Sequence, residues 1–224
     1  MAMFLEKDVF DLEAKNYLGE TALHCALKVV NDEASQLLRD YGSDLSQTFQ
    51  DTNGKVNSLI LIDEEGNNLL HQLVLKNDVM DVTMLLEKHT YDLEAKNKAK
   101  KTALHCAART GNIEVVNLLL EKGAKLEAKD EDGYTAFMIA CYNEHKNVVK
   151  LLLDHSEKIE LNARSIDGLT PFMIACYDGQ KDVVQLLLEH SGPNIDLNAR
   201  DNDGDTAFML ACHFGHKDVV KLLL

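Results

Sequence analysis

The apolar positions of this chain fall into one block that is written again and again. A small polar residue opens the block and an apolar run follows. A short polar break intervenes, and a second, denser apolar run closes it. The block between Asp130 and Arg164 can be read in full. Asp130-Glu131-Asp132-Gly133 predicts a turn, with Gly supplying a positive φ. Thr135 stands where a helix N-cap belongs, its hydroxyl free to accept an orphan backbone N–H. A first helix is expected over about 136–142 and a break at Asn143-Glu144-His145. A second helix is expected over about 147–155. Its Val148-Val149 and Leu151-Leu152-Leu153 are apolar almost all round, so it must be buried on several sides. In the next block Pro171 follows Thr170, the N1 position where the missing N–H of proline is harmless.

The block recurs at a regular interval. Thr21-Ala22-Leu23-His24, Asn68-Leu69-Leu70-His71, Thr102-Ala103-Leu104-His105, Thr135-Ala136-Phe137-Met138, Thr170-Pro171-Phe172-Met173 and Thr206-Ala207-Phe208-Met209 open successive copies, spaced by 47, 34, 33, 35 and 36 residues. A period of about 20–50 residues marks a stacked repeat protein. Each unit packs on the next, so length does not count domains here. Units are expected over 16–62, 63–96, 97–129, 130–164 and 165–200, with partial units at 1–15 and 201–224. The first spacing is long. Its surplus holds Asn53-Gly54 between β-prone runs, the strongest short hairpin signal, so an elongated finger hairpin is expected over about 45–62. Longer turns after the second helix are expected at Ser156-Glu157-Lys158 and Ser191-Gly192-Pro193-Asn194. Phe4 and Leu5, with Leu222, Leu223 and Leu224, are expected to lack a neighbour and to favour weak end-to-end self-association.

The order Asp-x-x-Gly-x-Thr-Ala/Pro-Leu/Phe, then Val-Val-x-Leu-Leu-Leu, then Asn-Ala resembles the ankyrin repeat, and the resemblance covers essentially residues 1–224. It implies an all-α solenoid of stacked helix–turn–helix units with short β-hairpin fingers. In that family a His in the opening tetrapeptide helps hold the turn and the adjoining repeat. The last three units carry Met138, Met173 and Met209 there, so they are expected to rely on apolar packing. The resemblance also implies a partner surface along the finger turns and the exposed end of helix one. Carried over by position, the finger contributions include Glu64, Glu65, Lys98, Lys101, Glu131, Asp132, Tyr134, Asp167, Leu169, Asp203 and Asp205. The helix-one contributions include Lys76, Arg109, Tyr142, Asn143, Tyr177, Asp178, His213 and Phe214. The third unit is basic there, with Lys98, Lys100, Lys101 and Arg109, and the later units are aromatic and acidic.

Composition narrows the partner. The formal net charge is −14, which opposes binding to nucleic acid and to anionic membrane surfaces. No apolar run approaches the ~18–20 residues of a membrane span, and the N-terminus lacks the basic start and apolar stretch of a signal peptide. An intracellular protein is expected, acting as a scaffold for another protein with a basic and apolar surface. The alternative is a targeting or regulatory ankyrin segment of a larger enzyme, channel or signalling protein.

Catalysis and cofactors find no support in the residues. The five cysteines fall at two repeat positions. Neighbouring repeats stand roughly 8–10 Å apart, beyond disulfide reach of about 7 Å, so reduced, mostly buried thiols are expected. Asp201-Asn202-Asp203-Gly204-Asp205 has the acidic look of a calcium loop but fails the spacing of one. His24, His71 and His105 belong to the tetrapeptide, and His145 and His216 to the helix break. No catalytic or metal motif accompanies them.

Overall fold

The computed structural model describes residues 62–88, 91–155, 159–191 and 194–224. Among these residues the chain forms ten helices in five consecutive pairs. They are α1 (Leu69–Leu75) and α2 (Val79–Lys88), α3 (Ala103–Thr110) and α4 (Ile113–Glu121), α5 (Ala136–Tyr142) and α6 (Lys146–Leu153), α7 (Pro171–Tyr177) and α8 (Lys181–Ser191), and α9 (Ala207–His213) and α10 (Lys217–Leu223). The odd-numbered helices stack on one another in chain order, and the even-numbered helices stack as a second row. Each pair also packs within itself. The product is a two-layer solenoid with one continuous apolar core.

The caps explain where the front helices begin. The Thr135 and Thr170 hydroxyls each accept the N–H three residues on, from Met138 and Met173, at 3.3 Å. Thr206 does the same for Met209 at 3.4 Å. Asn68 caps α1 through His71 N–H at 3.0 Å. The rear helices bury their Val-Val and Leu positions: Val115, Val116 and Leu119, then Val148, Val149 and Leu152, then Val183, Val184 and Leu187 are shut from solvent. Burying one such side chain is worth roughly 1.5–3 kcal/mol, and the period repeats that gain along the stack. Helix α6 begins at Lys146 and ends at Leu153, slightly earlier at both ends than its apolar pattern predicts.

Between the units run finger turns, whose first-residue side chain accepts from the turn's own backbone. Asp130 Oδ1 takes Asp132 N–H at 3.1 Å and Tyr134 N–H at 2.8 Å. Asp201 Oδ1 takes Asp203 N–H at 3.0 Å and Asp205 N–H at 2.8 Å. Of the three carboxylates that gave the last finger its calcium-loop look, that of Asp201 is therefore engaged by the turn itself. Backbone bonds then tie each finger to the next: Lys98 N–H to Glu65 O, Glu131 N–H to Ala99 O, Ile166 N–H to Asp132 O and Asn202 N–H to Asp167 O, at 2.9–3.0 Å. Among the described residues the fingers are hairpin turns without strands, and one isolated antiparallel bridge joins Arg200 to Thr206.

The break between paired helices carries a second tie. His145 Nε2 donates to Arg109 O at 2.9 Å, Gln180 Nε2 to Tyr142 O at 2.6 Å, and His216 Nε2 to Tyr177 O at 2.7 Å. Each side chain reaches back to the end of the preceding front helix, where carbonyls lack intrahelical partners. Room for it comes from glycine. Gly179 has φ +72, and a Cβ there would lie 2.2 Å from His216 Nδ1.

Cys106, Cys141 and Cys176 are buried free thiols, and burial pushes Cys106 up to about 11 and Cys176 up to about 12, with Cys141 raised as well. Cys212 departs from the sequence expectation and is exposed, as are Phe208 and Met209 on the same helix. Their counterparts Phe172, Met173 and Cys176 on α7 are buried, beneath α9, and among the described residues α9 has no such front-row cover of its own. A thiol-alkylating reagent at neutral pH is expected to modify Cys212 in the native protein and to reach the other three only on unfolding, because the thiolate is the reactive form. Peptide mass mapping checks this, and native labelling of Cys141 would contradict the packing. Cys25 lies outside the described residues, as do residues 1–61 with the expected finger hairpin, Phe4 and Leu5, and positions 156–158 and 192–193 of the expected longer turns. Leu222 and Leu223 pack partly on the core rather than standing free, while Leu224 is exposed.

Candidate functional site

His105 shows how a finger is fixed to the stack. Its Nδ1 accepts from Thr102 N–H at 3.1 Å and stands 2.8 Å from the Thr102 hydroxyl, and its Nε2 donates to Tyr134 O at 3.1 Å. His71 Nε2 donates to Lys101 O at 2.9 Å in the same manner. Both rings are buried, and burial lowers both below the usual imidazole range. Protonating His105 Nδ1 would set an N–H against the Thr102 N–H. The folded state therefore holds the neutral ring, whereas the unfolded ring titrates near 6.5. The stability that His105 contributes is present above about pH 6.5 and is lost as pH falls through its lowered folded value. The melting temperature is expected to fall between pH 7 and pH 5. A His105→Met variant, which copies the later units, should show a shallower fall. An unchanged slope in that variant would remove His105 from the account.

In the later units the finger rests on apolar packing instead. Met138, Ala163 and Ile174 form a small buried cluster, and Tyr134 and Leu169 pack against it from the finger side. Tyr134 and Leu169 thereby become part of a wall. Together with α5, α7 and α9 this wall bounds an open groove of about 570 Å³. Of the residues expected from the sequence, the groove is lined by Tyr134, Tyr142, Asp167, Leu169 and Tyr177, and by Asp178, Asp203, Asp205, His213 and Phe214. Lys101, Arg109, Asp132 and Asn143 line an adjoining hollow of about 300 Å³, which shares Tyr134 and Tyr142 with the groove. The structure thus brings these fourteen residues onto one face, and Glu64, Glu65, Lys98 and Glu131 line a third hollow that shares Lys101 and Arg109 with the second.

Three rings on this face stay in solvent. Tyr142 is 53% exposed, Phe214 46% and Tyr177 39%. Tyr177 and Phe214 come from successive units and pack as a tilted pair with centroids 4.4 Å apart, and His213 stands 4.9 Å from Phe214. Asp178 is the C-cap of α7. Its Oδ2 is shut from solvent without a hydrogen-bond partner, and burial raises its carboxyl above the usual range, with His216 opposing in part. Burial also pushes the Tyr134 hydroxyl up, helped by Asp167.

The sequence reading missed the floor. Ile174 and Leu210 line the groove, and Ile139 lines the hollow, all nearly buried. Each lies three residues before an expected contact residue: Tyr142, Tyr177 and His213. Residues i and i+3 share a helix face, so that spacing could have found them. Asp201 and Asn202 were missed as neighbours of Asp203 in the same finger.

A family model described as Ankyrin repeats (3 copies) matches the chain over residues 48–130, 70–165, 122–201 and 157–224. The chain belongs to the ankyrin-repeat family. Its stack is a protein-interaction repeat domain of all-α ankyrin architecture. The B-cell lymphoma 3 protein homolog of Mus musculus is 31% identical over a match covering 51% of this chain and 22% of that protein. The I-Kappa-B like protein C2 of Microplitis demolitor bracovirus is 26% identical, over 54% of this chain and 82% of its own length. The NF-kappa-B inhibitor zeta of Homo sapiens is 32% identical, over 50% of this chain and 13% of its own. The ankyrin match therefore spans most of the viral relative and under a quarter of the other two. Among the described residues no helix is long and apolar enough to cross a membrane, and no group of three or more His, Cys, Asp or Glu is placed to hold a metal ion.

Proposed function

We propose that this ankyrin stack binds another protein across its last three units, on the face centred on Tyr142, Tyr177 and Phe214 and flanked by Asp132, Asp167, Asp178 and Asp203. One observation carries the reading: three aromatic rings line one groove in solvent, above front helices whose core side is filled. Aromatic anchors inside a polar rim are the usual make-up of interface hot spots. A partner with apolar side chains set among Lys or Arg fits this face, because opposite charge steers the encounter. The mechanism is preorganisation. Fingers tied by backbone bonds present the side chains in register, so little further ordering is needed on binding.

The relatives suggest the first partner to try. Two are named for inhibition of NF-kappa-B or likeness to I-Kappa-B, so purified NF-kappa-B is the natural first probe. Titration calorimetry of the intact chain with purified NF-kappa-B, before and after substitution of Asp167 and Asp203 by Lys, is the direct experiment. Binding that weakens with the substitutions supports the face. Binding indifferent to them places the contact elsewhere on the stack.

A further inference from the structure

The binding face has an electrical direction. At its early end lie Lys101 and Arg109, in a hollow shared with Asp130, Asp132, Tyr142 and Asn143. The Lys101 ammonium stands 3.9 Å from Asp130. Among the described residues no ion pair ties the Arg109 guanidinium. At its late end lie Asp167, Asp203 and Asp205, around the Tyr177–Phe214 ring pair. These three carboxylates make no ion pair among the described residues. Asp178 is half-buried there, with one carboxylate oxygen shut from solvent and unpartnered, and burial raises its carboxyl. A carboxylate left short of water and of hydrogen bonds gains most from an arriving cation.

The two ends differ in what they would hold. Two exposed rings beside carboxylates suit a guanidinium better than an ammonium. Arginine is planar, stacks on aromatic faces and can pair bidentately with a carboxylate. The early end, with an untied guanidinium of its own, suits a carboxylate. The span between them follows from the repeat. Front helices of neighbouring units stand roughly 8–10 Å apart, and Arg109 on α3 is two units before Tyr177 on α7. The separation is therefore on the order of 16–20 Å to Tyr177 and about 2 Å more to the middle of the Tyr177–Phe214 ring pair, which an extended chain at about 3.3 Å per residue covers in about five to seven residues.

We propose that this face reads one extended peptide segment carrying two opposed charges. A carboxylate of the segment sits against Arg109 and Lys101. An arginine of the segment, about five to seven residues away, sits on Tyr177 and Phe214 beside Asp178 and Asp203. Apolar side chains between the two charges cross Tyr142. The inference rests on the reading of this face as the partner site and adds what the partner must contain. A segment with two basic ends would meet Arg109 with like charge, so the arrangement also rejects the uniformly basic ligands that net charge alone would attract.

The test uses a random twelve-residue displayed peptide library selected on the intact folded chain, with the enriched peptides then synthesised and titrated. The expected enrichment is an Asp or Glu spaced about five to seven residues from an Arg, with apolar residues between. Affinity of such a peptide is expected to fall about tenfold or more in Asp203→Asn and in Arg109→Glu. The Arg109→Glu loss should be restored when the peptide acid is changed to Lys. Asp203 and Arg109 are exposed, so both variants should keep the wild-type melting curve. Peptides that need Tyr142 and Tyr177 yet lack the charge pair, or a loss in Arg109→Glu that no peptide change restores, overturn this inference and leave the binding face standing. Peptides indifferent to Tyr142→Ala and Tyr177→Ala, or no enrichment at all, overturn both.

Discussion

Truncating Met138 to alanine is expected to remove about 2–5 kcal/mol of stability. Met138 is fully buried and forms, with Ala163 and Ile174, the small cluster beneath the groove. Shortening it leaves a cavity where two units and a finger meet. Stability in a solenoid is close to a sum of unit terms and neighbour interfaces, and this position lies in both. The equivalent position in α3 is His105, which fixes the next finger by donating to Tyr134 O. Met138 has no such bond to give, so its volume carries the job. The consequence reaches the groove, because Tyr134 and Leu169 pack on the same cluster. Chemical denaturation should show the midpoint shift, and amide exchange should show the finger over 165–169 opening more readily. A loss below about 1 kcal/mol would mean that the neighbours collapse into the space.

The front-row caps were legible because a helix start is a local event. Thr135, Thr170 and Thr206 cap the helices that their sequence position predicts, and Pro171 takes the first turn of α7. The face was legible for a different reason. A stack of like units is nearly one-dimensional, so equal register in sequence becomes neighbourhood in space. Tyr142 and Tyr177, 35 residues apart in sequence, reach one groove by that rule alone. Phe214 is instructive, since it stands one residue beyond the repeat position. Register alone gives no reason for its ring to meet Tyr177 at 4.4 Å; that contact depends on how two side chains turn across a unit boundary.

Other features depend on tertiary placement and left no mark in the pattern. The unpartnered Asp178 oxygen is one. The side chains at the helix break are another. His145, Gln180 and His216 share a position but not a chemistry, and each nonetheless donates to a carbonyl of the preceding unit. The shared property is an N–H at the right reach, which residue identity conceals. The fingers show the opposite error of detail. Their turn residues were plain, but each finger spends its backbone bonds on its own turn and on its neighbour, so no ladder forms among the described residues.

Tyr142→Ala and Tyr177→Ala are expected to separate binding from folding. Each truncation should weaken a partner, or a peptide selected on this face, by about 2 kcal/mol or more if the ring is a hot spot. Stability should respond far less. Tyr142 is more than half exposed, and a surface substitution of that kind usually stays within about 0.5 kcal/mol. Tyr177 also packs on Phe214, and such a ring pair is worth about 0.5–1.5 kcal/mol, so its removal should register modestly in the melt. The order of the two effects is the informative quantity. Affinity lost with the fold intact assigns the rings to recognition. A stability loss above about 3 kcal/mol at either position, the range of buried aromatics, would assign that ring to the core and remove it from the face. Unchanged affinity in both variants would reject the groove as the partner site, since no contact centred on these rings could survive the loss of both.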